Sequence, residues 1–199
     1  VTVHGAHTGI LRDDLARVFD QQAERYPGVD PSEDFYRANM PRRAAMSNAS
    51  VLTTQVMSSV PVYLREGESV NAATFVSATT AANTPTNHWA ALYSPTGILL
   101  GQTPDLEDEA WAANTKKTFE FAAPELIAVT GWHRVALMVK ATATPTLAGV
   151  TLHNAVLSAA LVTGELPLSA TSGTTLTDTA PGTIGALTAI AGVPLCILS

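Results

Sequence analysis

Val60, Val62 and Leu64 alternate with their neighbours at a period of two, and strand-like character returns in short runs along the middle of the chain. The clearest later runs cover residues 70–77, 88–93, 98–102, 118–121 and 132–140. Polar turns punctuate them, among them Arg65-Glu66-Gly67-Glu68 and Ser94-Pro95-Thr96-Gly97. Successive side chains of a strand point to opposite faces, so a period of two over this length reads as a half-buried strand. Short runs at a spacing of roughly 10–15 residues, separated by Pro, Gly and Asn, predict a mainly β chain folded as an antiparallel, jelly-roll-like β-sandwich. Neither a Gly-x-Gly-x-x-Gly motif nor an alternation of strands with helices points to a nucleotide-binding fold.

Before Ser50 the period is different. Leu11, Leu15, Val18, Phe19 and Tyr26 recur at helical spacing, with Arg12, Asp13, Arg17, Asp20 and Glu24 mostly on the other face. Thr8 is placed to cap this helix and Pro27-Gly28 to end it. A second, short helix is expected from Asp30-Pro31 through Phe35 and Tyr36, stopping before Met40-Pro41. The amphipathic face fits a helix packed on its own domain or a helical arm that clasps a neighbouring subunit. The expected organisation is a helical arm over 1–43, a sandwich over 44–165 and an extended segment over 166–199.

That last segment is set apart by charge. Lys and Arg number 11 and Asp and Glu 17, so 14% of the chain is charged, against about 25% in an ordinary soluble domain. Residues 141–199 contain no Lys or Arg, and only Glu165 and Asp178 as acids. Gly182, Gly185, Gly192 and Pro194 break the uncharged run at 179–199, so it is not read as a membrane-spanning helix. Its apolar residues are too many to stay solvated. The expectation is extended chain in strand-like pairings, with Ile184, Ile190, Leu195 and Ile197 buried mostly against another chain.

The same counts bear on function. A net charge of −6, with Arg42-Arg43 and Lys116-Lys117 as the only adjacent basic pairs, argues against nonspecific nucleic-acid binding. A single cysteine, Cys196, excludes an internal disulfide and a multi-cysteine zinc site. His4, His7, His88, His133 and His153 show no metal-ligand spacing. His88 and His133 each adjoin a tryptophan and are read as satisfied sheet residues facing the opposite way.

Asp105, Glu107, Asp108 and Glu109 form an acidic loop without the glycine of a calcium-binding loop, and are read as solvated. These carboxylates and Glu66 or Glu68 would be the pair for a glycosidase, although nothing in the spacing selects them. Neither a catalytic residue nor a metal or cofactor is expected. Trp89, Trp111 and Trp132 are the candidate ligand platform, since aromatic faces suit sugar rings. The competing reading places Trp89 and Trp132, which start strands, in the core.

One set of residues is more specific. Met40-Pro41-Arg42-Arg43-Ala44 leads to Val62-Tyr63-Leu64, Gly67, Val70, Thr79-Thr80-Ala81 and Trp89-Ala90-Ala91-Leu92-Tyr93. Leu100-Gly101-Gln102-Thr103, Trp111-Ala112-Ala113-Asn114-Thr115 and Gly131-Trp132 follow, then Val135-Ala136-Leu137-Met138-Val139 and Thr144-Pro145-Thr146-Leu147-Ala148-Gly149. Across residues 40–150 this resembles the β-sandwich domain of minor tail and related virion proteins of tailed bacteriophages that infect actinobacteria. The Trp111–Thr115 run and the two loops at Pro85 and Pro145 are its most specific parts.

The resemblance implies a non-enzymatic structural protein located in the virion, on the tail or the capsid surface. The leading expectation is a minor tail or tail-tip protein in assembly and host-surface contact. The alternatives are a capsid decoration or head-fibre protein, or a carbohydrate-binding module. Its expected partners are copies of itself, as a trimer, other virion proteins and a host cell-surface glycan, with no nucleic acid and no membrane.

Overall fold

The chain divides into two units, Val1–Tyr36 and Arg37–Ser199, and the computed structural model describes residues 35–199. The helix expected around Leu15 and Phe19 lies outside the described residues. The second unit is built from thirteen strands: β1 (Arg37–Ala38), β2 (Met46–Val51), β3 (Met57–Leu64), β4 (Ser69–Val76), β5 (Asn87–Tyr93), β6 (Leu99–Gln102), β7 (Lys116–Leu126), β8 (Gly131–Lys140), β9 (Thr146–Thr151), β10 (Ala170–Ser172), β11 (Thr188–Ala189), β12 (Gly192–Pro194) and β13 (Cys196–Leu198). Two single-turn 3-10 helices, Arg42–Ala44 and Ala155–Leu157, complete the regular structure.

The strands form three antiparallel sheets, in the orders β11-β10-β3-β8-β5-β6, β1-β13-β4-β7 and β12-β9-β2. The mainly β, sandwich-like expectation holds. The second short helix does not hold where it can be seen, because Arg37–Ala38 is strand and pairs with β13. The reason is the bonding on offer at Asn39. Its side chain donates to Pro194 O at 2.8 Å and accepts from Cys196 N at 2.9 Å, and its backbone N–H donates to Cys196 O. A helix this short is marginal alone, whereas the sheet edge supplies all three bonds.

The register of the six-stranded sheet sorts its side chains. Val60, Val62, Val135, Leu137 and His88 share one face, because Val60 pairs with Val135, Val62 with His133, and His88 with Val139. His88 meets the Phe119 ring of β7 edge-on with centroids 6.0 Å apart, and Phe75 meets the same ring at 6.2 Å. This face therefore packs on the four-stranded sheet and forms the inner core.

The opposite face is also buried, and by the same chain. Met57, Trp89, Ala91, Tyr93, Ala136 and Met138 form one cluster with Ala180, against which Leu99, Leu176 and Ile184 pack. Backbone bonds hold this strap in place: Leu176 N to Gln55 O at 3.0 Å, Leu99 N to Gly182 O at 3.0 Å and Ile184 N to Gly97 O at 2.8 Å. The Gln102 side chain takes Ala180 N and donates to Asp178 O, so the strap covers the outer edge of β6 as well as the face.

The low-charge segment is thus extended and strand-paired as expected, and the strands that it pairs with are its own subunit's. β10 pairs with β3, β12 with β9, and β13 lies between β1 and β4. Leu195 is buried, and Ile184, Ile190 and Ile197 are half-buried, in their own subunit. Few charges are needed where most of a segment covers a sheet rather than water. At β9 the fit admits no side chain, since a Cβ on Gly149 would lie 2.1 Å from Val193 O.

Candidate functional site

The Trp111–Thr115 run and the loops at Pro85 and Pro145 come together at one end of the sandwich. Ala82 N donates to Trp111 O at 3.0 Å, Asn83 N to Ala143 O at 2.9 Å, and Thr142 N to Asn83 O at 3.0 Å. Thr84 and Thr142 share a hydroxyl hydrogen bond of 2.6 Å. Asn48 ties β2 to this end. Its Oδ1 accepts from Thr79 N at 3.2 Å, Thr79 Oγ1 at 2.7 Å and Thr146 Oγ1 at 2.7 Å, and its backbone adopts φ +56°. Asn tolerates this left-handed conformation better than most residues. The result is a threonine-rich end surface whose loops brace one another.

The three tryptophans do not form one platform. Trp89 is fully buried beneath the strap, with its Nε1 donating to Thr177 O at 2.7 Å. Trp111 is 2% exposed and stands edge-on to Phe119 at 5.8 Å, on the other side of the six-stranded sheet. Only Trp132 reaches solvent, at 54% exposure. The core reading thus holds for Trp89 and not for Trp132. Register puts both rings on the same face, and the strap ends short of Trp132.

Trp132 is not isolated. Tyr63 lies directly opposite it across β3 and β8, and the rings meet edge-to-face at 5.4 Å. Beside Trp132 a groove of about 490 Å³ runs between Pro61 of β3, Val150 and Val193 of the three-stranded sheet, and the loop bearing Glu165 and Leu168. Below it, Arg134 is 3% exposed and charged. Its Nε donates to Ser59 Oγ at 3.1 Å, NH2 to Ser59 O at 3.2 Å and NH1 to Pro167 O at 3.3 Å. Burial lowers its pKa to about 10, which leaves it protonated at neutral pH.

Sequence reasoning missed both Arg134 and Tyr63. The signal for Arg134 was a single charge inside the apolar run of β8. For Tyr63 it was a second aromatic in a strand adjoining the Trp132 strand.

The acidic loop is committed to structure at two of its four positions. Asp105 Oδ1 accepts from His88 N at 2.8 Å and Glu107 N at 3.1 Å, and its Oδ2 accepts from the Asn87 side chain. Glu109 pairs at 3.1 Å with Lys117, whose Nζ also donates to Ala110 O. Glu68 takes the Arg37 guanidinium and Arg65 N at the far end of β7, where Ile127 N donates to Glu68 O. Ten residues of extended chain separate Lys117 from Ile127, about 30 Å, so Glu68 and Glu109 are not brought together. Paired carboxylates of a glycosidase sit roughly 5–10 Å apart.

His88 and His133 face the inner core, opposite in direction to their neighbouring tryptophans. His133 Nδ1 lies 3.1 Å from Gly131 O, but neither nitrogen of His88 has a well-formed hydrogen-bond partner. The expectation of satisfied histidines therefore holds for His133 and fails for His88. Burial, reinforced by the Lys117 charge, lowers the His88 pKa to about 4 and keeps the ring neutral. Among the described residues no cluster of His, Cys, Asp and Glu is arranged to hold a metal ion.

No protein-family model matches this chain, and no curated protein is significantly similar to it.

Proposed function

We propose that this chain is a non-enzymatic structural subunit of a tailed-bacteriophage particle, a minor tail or tail-tip protein working in assembly and in contact with the host surface. The carrying observation is the apolar surface beside the groove. Tyr63 and Trp132 are exposed, as are Leu157, Leu161, Val162 and Leu168 of the neighbouring loop, and that loop lies in the stretch 141–199, which has no Lys or Arg. Contiguous apolar surface of this kind is a feature of protein interfaces, where charge is depleted at the centre. Other virion proteins are the partners this surface fits. The resemblance across residues 40–150 supports the same reading, since its three motif loops brace one another at one end of the sandwich.

Purified particles provide the test. Quantitative mass spectrometry should find this chain at a few to a few dozen copies per particle, with antibody labelling at the tail. Hundreds of copies and labelling over the head would instead make it a capsid decoration or head-fibre protein. Absence from washed particles would remove the virion reading altogether.

A second reading, a carbohydrate-binding module, is favoured by one observation: the exposed Trp132 ring buttressed by Tyr63 at the mouth of a groove. It expects binding of the isolated protein on a glycan array that Trp132→Ala abolishes. Trp111→Ala is unsuitable for this purpose because it would open the core.

A further inference from the structure

β7 ends the four-stranded sheet, and among the described residues no strand pairs with its outer side. Its register with β4 is unbroken over residues 116–120 and shifts before Glu125, and Pro124 lies beyond, so the open stretch is 116–120. The other edges are shorter, covered or interrupted. β6 is covered by the strap, β1 and β11 have two residues each, β12 ends in Pro194, and β2 is interrupted at Asn48. Proteins ordinarily shorten, cover or charge such edges, because an open ladder templates pairing with another chain.

The direction of the open hydrogen-bonding groups follows from the neighbouring bonds. Ser77 N donates to Thr115 O at 2.9 Å, while Ala72 turns both its N–H and its C=O to Ser199, on the β13 side of β4. In an antiparallel pair the bonded and unbonded positions alternate. Ala72 lies opposite Glu120, Thr74 opposite Thr118, and Val76 opposite Lys116. These are therefore the unbonded pairs, and Lys116, Thr118 and Glu120 turn their backbone groups outward. None of those groups has a hydrogen-bond partner among the described residues. The side chains of all three are exposed on the outer face.

The charges on this edge complement themselves. If a second β7 is laid antiparallel about a two-fold axis at Thr118, Thr118 faces Thr118 and each Lys116 faces the Glu120 of the other copy. Neither Lys116 nor Glu120 has an ion pair within the described residues. Lys alone at an edge would repel a copy of itself; Lys and Glu spaced symmetrically about Thr118 attract one. Opposite charges placed directly across a ladder stabilise it, and like charges destabilise it.

We infer that β7 is a self-recognition edge, at which two copies of this chain join their four-stranded sheets into one eight-stranded sheet. The contact is isologous, the same edge on both copies, and main-chain bonds of strand addition supply its affinity. It gives a two-fold pair rather than the trimer expected from sequence. It stands independently of the virion reading, since it follows from the edge alone.

The test is sedimentation equilibrium of the full chain over a range of concentrations. Wild type is expected to form dimers. Glu120→Lys or Lys116→Glu should each weaken association about tenfold or more, because either places like charges opposite one another. The double exchange Lys116→Glu with Glu120→Lys should restore it. Thr118→Pro removes an outward N–H without breaking a backbone bond to β4, giving up only the exposed 2.9 Å hydroxyl bond to Thr74, and should abolish dimers while leaving a cooperative melting curve for the monomer.

Thr118→Cys provides a check that does not depend on affinity. Cα atoms of a bonded antiparallel pair lie about 5.5 Å apart, within disulfide range. The oxidised variant should run as a covalent dimer, while the native Cys196 is buried. A wild type that stays monomeric at every concentration, or dimers or trimers indifferent to the charge reversals and to Thr118→Pro, would overturn the inference.

Discussion

The indole Nε1 of Trp89 donates to the carbonyl oxygen of Thr177 at 2.7 Å, across 88 positions of sequence. This bond fastens the strap over the outer face of the six-stranded sheet, and its neighbours extend the attachment. Tyr93 Oη donates to Pro181 O at 3.0 Å, and Leu176 and Ile184 pack on the same cluster. A segment that looks from its composition like an arm reaching for another subunit is part of this subunit's own core.

Removal of the strap should therefore unfold the protein. Deleting residues 166–199 takes away β10, β11, β12 and β13, the last of which lies inside the four-stranded sheet. The expected product is insoluble or lacks a cooperative thermal transition by circular dichroism. Trp89→Phe is the milder probe. It keeps most of the ring and strands the Thr177 carbonyl, at an expected cost of about 1–3 kcal/mol in urea unfolding.

Arg134→Met is expected to destabilise by about 2–4 kcal/mol, since three bonds from a charged donor are lost and Ser59 O and Pro167 O lose that partner. Arg134→Lys should recover only part of this, because an ammonium cannot reproduce the fork that spans Ser59 and Pro167. Denaturant titration of the three proteins would show the order. Equal stability of Met and wild type would mean that Arg134 does not hold the 158–169 loop.

Acid should weaken the fold through His88. The folded-state pKa is about 4, below the ordinary 6.5, so the unfolded chain binds the proton more readily. Stability from the neutral ring is complete above pH 6.5 and is lost as the pH falls from 6.5 towards 4, at most about 3 kcal/mol. Lys117 strengthens the effect, and the carboxylates of Asp105 and Glu109 oppose it. His133 is shifted in the same direction by burial. Urea midpoints measured from pH 7 to 4 should fall more steeply in wild type than in His88→Leu, which gives up no well-formed hydrogen bond.

Gly149→Ala tests the closeness of β9 to β12. The added methyl would overlap Val193 O and the Pro194 backbone, neither of which is a flexible side-chain end. A loss of about 1–3 kcal/mol is expected, with greater hydrogen exchange in β12 and β13 than elsewhere. Gly164→Ala serves as a control: no atom crowds its Cβ position, although its φ of +87° carries a smaller strain.

Strands β3 to β8 were legible because alternation is a local signal. Val60, Val62 and Leu64 alternate whether or not their partner strand is known. β2 and β9 were not legible, and β10 to β13 were legible only as an extended, strand-paired segment without bounds or partners. β2 is interrupted at Asn48, whose left-handed backbone breaks the alternation, and β10 to β13 have only two or three residues each. Their conformation is imposed by partners far away in sequence, such as Thr171 opposite Ser58.

The tryptophans failed for a related reason. Trp89 and Trp132 lie on the same face of one sheet, and only the path of residues 173–184 separates a buried ring from an exposed one. The motif runs at the braced loop end were singled out because they are contiguous, but their meeting at one end of the sandwich was not anticipated. Nor was the central clip at Asn48, since a lone Asn gives no sign of the three donors that it gathers.

Arg37 stands opposite Leu198 in the register of β1 and β13. The two ends of the second unit are thus adjacent strands of one sheet, about 5 Å apart. A short turn could join them, and an opening at the exposed Gly164 would supply new ends. Such a circular permutant would keep every strand neighbour while changing the order in which the strands are written. Chain connectivity here is one of several routes around a closed circuit.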